Sequence, residues 1–330
     1  MVLARLILAA RLAAVLAAVG LFVLALQAQA QNYPTRPIRI ISPFAAGGAN
    51  DVLARAIGLK LGDRQGTSIV IENRPGAGAV IGLVAAARSA PDGYTLVLSG
   101  STLAVAPVLY KTPPFDANKD FAPVALVVHY PFLLVASKSL PANSVPELIR
   151  FAKENPGKLL YASPGVATSQ HLFAELFKVQ TGTDLGHIPY HGTSPAVVDI
   201  VAGRVSLMFA AAAPSLPLIK DGSLKVLGVS SAERLAEAPD IPPIADTVPG
   251  FDVSNWSIIL APAGTPREIV NRLHAELKTV MATPDVQAQL AKLGMIPVVS
   301  PTPEELGSFI SSEVTRWGKI VQQAGIGKSN

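Results

Sequence analysis

From Tyr33 onward one unit recurs along the chain: a short apolar segment, a loop of Gly, Ser, Thr or Pro, and then a helical pattern. "PIRII" runs through "SPFAAGGAN" into a helix expected from about Asp51 to Leu61, and "SIVIE" runs through "NRPGAG" into an alanine-rich helix ending near Ser89. "TLVLS" leads through "GST" to a short helix near Leu109, and "KLLYAS" leads through "PGVATS" to a helix over Gln170–Gln180. "GHIPY" then passes through "HGTS" to Pro195–Ala202, where Ser194 is placed to cap and Pro195 fits the first turn. Alternating strands and helices of these lengths predict parallel sheets covered on both faces.

Two long extended stretches, "FAPVALVVHYPFLLVAS" and "FDVSNWSIILAP", bracket the middle third. They divide the chain into a discontinuous α/β domain, 31–127 plus 255–330, and an inserted α/β domain, 128–254, with the stretches as crossovers. Neither stretch has the Pro/Ser-rich composition of a loose linker, so paired hinge strands are expected. The last part is helical. "TPRE" at Thr265–Glu268 and "TPEE" at Thr302–Glu305 each combine a cap threonine, an early proline and a capping-box glutamate. Ile269, Leu273, Leu277 and Val280 share one helix face, as do Phe309, Ile310, Trp317, Ile320 and Val321, which marks core packing.

The first thirty residues read as an address. Arg5 and Arg11 precede an uncharged run over Leu12–Leu26 and then "QAQAQN", a signal-peptide pattern with cleavage expected near Ala30. The run is shorter than the roughly 20 residues a spanning helix needs. No cysteine is present for lipid attachment or disulfides, so a soluble periplasmic protein is expected. Two of the 27 cations lie in that segment, leaving 25 against 23 acids in the remainder. Without a basic run or aromatic interleaving, a nucleic-acid surface is not expected.

The loops carry the functional signal. Gly47-Gly48-Ala49-Asn50-Asp51 lacks the Lys-Ser/Thr of a phosphate-binding P-loop, and Gly76-Ala77-Gly78-Ala79-Val80-Ile81-Gly82 is one residue too long for a dinucleotide fingerprint. One such loop could serve only a left-handed turn. Their repetition changes the reading, because loops after parallel strands share one sheet edge. Several helix starts would aim free N–H groups at a common space. At roughly 1.5–3 kcal/mol per charged hydrogen bond, three or four could hold a carboxylate without arginine. Asp51 is odd in such a place: it either caps its own helix or accepts from a ligand or water donor. His129, His171, His187, His191 and His274 show no metal-ligand spacing and are read as structural. Neither a nucleophile elbow nor a zinc-protease motif is present, so no catalysis, metal or cofactor is expected.

The ordered set "YPTRPIRIISPFAAGGANDVLAR", "VIENRPGAGAVIG", "PDGYTLVLS", "NPGKLLYASPGVATSQHLFAELF", "HIPYHGTSPAVVDIVAGRVSLMF", "APAGTP" and "RWGKIVQQAGI" resembles the tripartite tricarboxylate transporter substrate-binding proteins, also called Bug proteins. The resemblance spans essentially the whole mature chain. It implies a type II periplasmic binding protein: two α/β domains with a ligand cleft between them and two crossover strands as hinge. It also implies a permease partner with one large and one small subunit. Carried onto this sequence, the ligand loops would contain Phe44, Ala46, Gly47, Gly48, Ala77, Gly78, Ser99, Thr102, Ser163, Val166, Ala167, Thr168 and Tyr190, with Asp51 and Ala210 nearby.

Several positions depart from the family's usual residues by losing a polar group or gaining a methyl. They are Leu103, Ala106, Ala79, Val80, Val166-Ala167 within the 165–169 loop, and Ala210-Ala211. Such a lining favours a carboxylate with an apolar or aromatic body over a hydroxylated tricarboxylate, unless these positions face away from the ligand. The expectation is a monomeric solute-binding protein for a small organic carboxylate, di-, tri- or aromatic. A ligand-sensing subunit for a membrane kinase is the alternative, and a periplasmic enzyme is a third.

Overall fold

A computed structural model describes residues 33–326 except His191 and Ala236; the expected signal segment lies outside the described residues. One sheet contains β1 (Ile38–Ser42), β2 (Ile69–Asn73), β3 (Thr95–Ser99), β4 (Phe121–Tyr130), β10 (Asn255–Pro262) and β11 (Ile296–Pro297), in the order β11-β4-β10-β3-β1-β2. A second contains β5 (Phe132–Ser137), β6 (Leu159–Ser163), β7 (Leu185–Pro189), β8 (Leu207–Ala211) and β9 (Leu224–Val229), in the order β7-β6-β8-β5-β9. The chain passes between the sheets at Pro131 and returns between Val229 and Asn255.

The repeating units are parallel as expected: β1 pairs with β2 and β3, and β6 pairs with β7 and β8. The sheets as wholes are mixed, which corrects the all-parallel expectation. β10 runs antiparallel to β3 and β4, and β5 runs antiparallel to β8 and β9. The antiparallel strands come from the long crossover stretches, which join the sheets without an intervening helix. β4 stays in the first sheet through Tyr130 because Val128–Tyr130 are laddered to Asn255–Ser257, three residues past the expected boundary.

The helices between β1 and β9 are α1 (Ala49–Gln65), α2 (Val80–Ala87), α3 (Thr102–Leu109), α4 (Val145–Glu154), α5 (Ser169–Thr181), α6 (Thr193–Val201) and α7 (Ala212–Lys220). α8 (Arg267–Met281), α9 (Pro284–Lys292) and α10 (Pro303–Gln323) complete the first unit. Thr302 forms the expected capping box of α10. The other two cap expectations fail. Thr265 turns its hydroxyl back to Pro262 O, leaving Pro266 to start α8. α6 begins at Thr193 behind Gly192, so Ser194 is already inside the helix.

Alternation in β5 shows how two cores share one sheet. Phe132, Leu134 and Ala136 join the larger core, whereas Leu133 and Val135 join a smaller one on the opposite face. Both faces are covered by helices, so every residue of the strand is buried. Trp317 of α10 stacks on Phe173 of α5 with ring centroids 6.0 Å apart, packing the last helix onto the second unit. At about 25 cal/mol per Å² of apolar surface, burial of two large aromatics is a substantial part of that contact. Among the described residues, no helix is long and apolar enough to cross a membrane.

Candidate functional site

The C-terminal ends of β1, β2 and β3 release one set of loops, and those of β6, β7 and β8 release a second. α1, α2, α3, α5, α6 and α7 follow these loops, and none starts with a side-chain cap hydrogen bond. α4 and α10 start elsewhere and are capped by Ser144 and Thr302; α8 and α9 start uncapped behind Pro266 and Thr283. An uncapped start leaves first-turn N–H groups and their partial positive charge available to an anion. Of the described loop residues only Arg74 is cationic, and Glu72 pairs with it.

The two sets meet. Thr102 Oγ1 donates to Gly78 O at 2.9 Å and lies 3.5 Å from Ala167 O, across from the first sheet to the second. A Cβ on Gly78 would fall 2.4 Å from Val166 O, so the loops approach as closely as a bare backbone permits. Gly78 has φ +61, and three alanines, Ala77, Ala79 and Ala167, also sit at positive φ. Left-handed backbone at a residue with a Cβ costs about 1–2 kcal/mol. Such strain persists only where surrounding contacts impose it; here Ala167 lies at the loop contact, and Ala77 and Ala79 flank Gly78, which does too.

In the first set the support is a carboxylate. Buried Asp51 accepts from Gly47 N at 2.9 Å, Arg55 Nε at 3.0 Å and, through its other oxygen, Asn73 Nδ2 at 2.9 Å. Asn73 Nδ2 also reaches Phe44 O at 3.1 Å. Burial pushes the Asp51 carboxyl upward, but the Arg55, Gly47 and Asn73 hydrogen bonds outweigh it and hold it below the usual carboxylate range. Asp51 therefore does not cap α1 in the ordinary sense. It reaches back to the loop and consumes the Gly47 N–H.

In the second set the support is a stack of rings. His171 and His187 lie 4.3 Å apart, and Tyr161 stacks on His187 at 4.7 Å. His171 Nδ1 accepts from Ala167 N at 3.4 Å, so its proton belongs on Nε2. His187 Nε2 lies 2.7 Å from Ser163 Oγ, which donates to Gly165 O at 3.0 Å. Tyr161 donates to Glu175 Oε1 at 2.5 Å, and Lys178 Nζ donates to both oxygens of that carboxylate, Oε1 at 2.9 Å and Oε2 at 3.0 Å. Burial, followed by Lys178, lowers His171 to about 4. Burial, then His171, with Lys178 and against Glu175, lowers His187 to about 4. Both imidazoles are neutral at physiological pH.

The sequence-derived residues fall into four groups. Gly78, Thr102, Val166 and Ala167 are brought together at the contact, with Ala77 and Thr168 beside them. Ala46, Gly47 and Gly48 stand exposed on the β1 loop, with Phe44 half-buried behind them. Ser99 and Ser163 are buried at the ends of β3 and β6. Tyr190 is tied down by its OH bond to Asp199 at 2.7 Å, and burial with that bond pushes its phenol to about 12. Ala210 is not on a loop surface; it packs in the smaller core. Leu103 and Ala106 are likewise in the larger core, so these departures replace polar groups inside packing, and Val166 is the one left exposed.

Sequence reasoning placed Ser101 within the Ser99–Thr102 loop but missed its joining with Ser169 and Asn255 across the loops, and assigned His171 and His187 no part in shaping them. His187 is register partner of Tyr161, a relation that no local pattern reveals. Among the described residues no cluster of three His, Asp or Glu is set to hold a metal. A groove of about 680 Å³ between α5 and α10, near Gln180, Arg316 and Lys319, contains none of these loop residues.

Two α/β units facing each other through strained, small-residue loops and uncapped helix starts define a two-lobed solute-binding protein. Comparison with known proteins agrees. Residues 53–326 match the family model described as "Tripartite tricarboxylate transporter family receptor". The chain is 37% identical over 317 residues to protein BugT of Bordetella pertussis, covering 94% of this chain and 97% of BugT. It superposes with a TM-score of 0.83 on R. palustris Rpa4515 with adipate, at 34% identity, covering 89% of this chain and 99% of that one. MatC from Rhodopseudomonas palustris with bound malate gives 0.80 at 32% identity, covering 88% and 100%. The chain belongs to the tripartite tricarboxylate transporter receptor family.

Proposed function

We propose that this protein captures a small organic carboxylate between its two lobes, 33–130 with 255–326 and 131–254, and delivers it to a permease of one large and one small subunit. The observation that carries the reading is the convergence of uncapped helix starts on the Gly78–Thr102–Ala167 contact. Main-chain N–H groups of Phe44–Ala46 and Gly48, of Ala77–Gly78 and of Val166 would hold the carboxylate, since those of Gly47, Gly165, Ala167 and Thr168 already donate within the loops. Exposed Ala46, Ala77 and Val166 would face its apolar body. Micromolar capture needs about −8 kcal/mol, within reach of three or four charged hydrogen bonds and closure. The relatives solved with adipate and malate support the carboxylate class. The protein acts after export and cleavage near Ala30, as a monomer and without catalysing a reaction.

The test is a thermal-shift screen of mature protein against mono-, di- and tricarboxylates, aromatic ones included, with the matching amides as controls. A ligand at 100 times its Kd adds about 2.7 kcal/mol of stability. We expect one carboxylate class to raise Tm by several degrees and its amide not to. Stabilisation by uncharged solutes with none from any carboxylate would overturn the reading. Preference for citrate over apolar-bodied acids would overturn only the apolar part.

A further inference from the structure

Four buried polar side chains from four separate elements form a single hydrogen-bonded chain. Ser101 precedes α3, Ser169 opens α5, Asn255 opens β10 and Tyr130 closes β4. Ser169 Oγ donates to Asn255 Oδ1 at 2.5 Å, an acceptor with no proton to give. That commits the single Ser169 proton, so the 2.6 Å contact with Ser101 runs from the Ser101 hydroxyl to Ser169 Oγ. Asn255 Nδ2 then donates to Tyr130 OH. The chain has one direction, from Ser101 to Tyr130, and every link orients the next.

Its position is as informative as its chemistry. Tyr130 and Asn255 are register partners at the ends of β4 and β10, where the chain leaves the first sheet and returns to it. Gly100 is pressed against β10, since a Cβ there would fall 2.8 Å from Trp256 O. Ser101, Asn255 and Tyr130 are thus fixed parts of the first lobe. Ser169 belongs to the second, beside the Pro164–Thr168 loop, and its hydroxyl sits between Ser101 and Asn255.

We propose that the Ser169 hydroxyl is a closure latch, a positioning group that sets how much of the ligand-free protein is closed. The proposal rests on the two-lobed capture reading above. With the lobes apart, water satisfies Ser101 and Asn255; with them together only Ser169 does. Removing that hydroxyl penalises the closed state alone. Apparent affinity falls with the closed fraction, so every ligand should weaken by the same factor, roughly tenfold.

The chain has no cysteine, so Leu59→Cys on α1 and Val198→Cys on α6, 67% and 61% exposed, give clean spin-label sites on the two lobes. The lobe-to-lobe distance is read by double electron–electron resonance in the ligand-free mature protein. Ser169→Ala should raise the long-distance fraction, Ser101→Ala should raise it less, and Ser101→Ala should add nothing once Ser169 is alanine. Unchanged distributions in both single variants, or additive effects, overturn the latch. Should Ser169→Ala fail to fold, Ser101→Ala on the other side of the same bond carries the test. If the variants shift the distances but malate and adipate leave the parent unmoved, the latch stands and the ligand assignment is what fails.

Discussion

The two sets of loops use the same small residues but are held by opposite means. The β1 and β2 loops are positioned by a buried carboxylate, with Asp51 bonded to Gly47, Asn73 and Arg55. The β6 loop is positioned by neutral imidazoles, with His171 accepting from Ala167 N and His187 bonded to Ser163. A carboxylate anchor spends an N–H and adds negative charge beside an anion site. A neutral imidazole accepts the same kind of bond without that charge. Under the proposed function the second lobe would therefore be the better electrostatic host at neutral pH, with the first supplying shape and a close backbone approach.

The largest test breaks the contact on which both sets depend. Gly78→Val combines a left-handed φ of +61 with a clash 2.4 Å from Val166 O, so closure over the ligand should fail. We expect calorimetric titration to show a loss on the order of a hundredfold or more. Gly48 is a different case: its φ is −77 and the nearest atom to a Cβ would be 3.5 Å away. Gly48→Ala should cost less than about tenfold in Kd. Equal effects at the two glycines would show that steric access, not lobe approach, governs binding.

Acid should act on the second lobe first. A histidine free in the unfolded chain takes its proton near 6.5, whereas His171 and His187 take theirs at about 4. Between those values the unfolded state binds more protons, so stability is full above about pH 6.5 and falls as pH drops toward 4, by a few kcal/mol in total. Tyr161, Glu175, Lys178 and Ser163 are the groups facing the pair. His171→Asn should keep an acceptor for Ala167 N and flatten the slope of urea midpoint against pH. An unaltered slope would place the acid sensitivity elsewhere.

The smallest effect is expected in the first lobe. Asp51→Asn keeps the size and one acceptor but loses the charge that Arg55 and Gly47 share. Because Arg55 is more than half exposed, the ion pair itself is worth little. The expected cost is about 1 kcal/mol, a Tm decrease of roughly 2–4 °C. Ligand affinity should hold or improve as the competing charge is removed. A large loss of affinity would mean that Asp51 itself receives a ligand donor.

Much of the fold was legible locally. The strand–loop–helix units, the α10 capping box and the apolar stripes of α8 and α10 all follow from periodicity and end signals within a few residues. The chemistry of the loops was legible too, because a run such as Phe44–Gly48 offers little beyond backbone. The Thr265 cap failed because the helix starts one residue later, behind Pro266, with the Thr265 hydroxyl turned back to donate to Pro262 O in the preceding turn. That Leu103, Ala106 and Ala210 pack in the cores was not legible, because sequence shows what a side chain is, not which way it faces.

By itself the sequence determined the repeating α/β units and the lack of cationic side chains in most of the loops, on which the proposed backbone-donor site rests. Tertiary structure decided the antiparallel crossover strands, the pairing of Tyr161 with His187 and the meeting of Ser101, Ser169 and Asn255. Local signals reflect dihedral preference and burial period, which act over a few residues. The latch and the ring stack join residues from separate elements, and only the register of strands and the approach of two lobes bring those together.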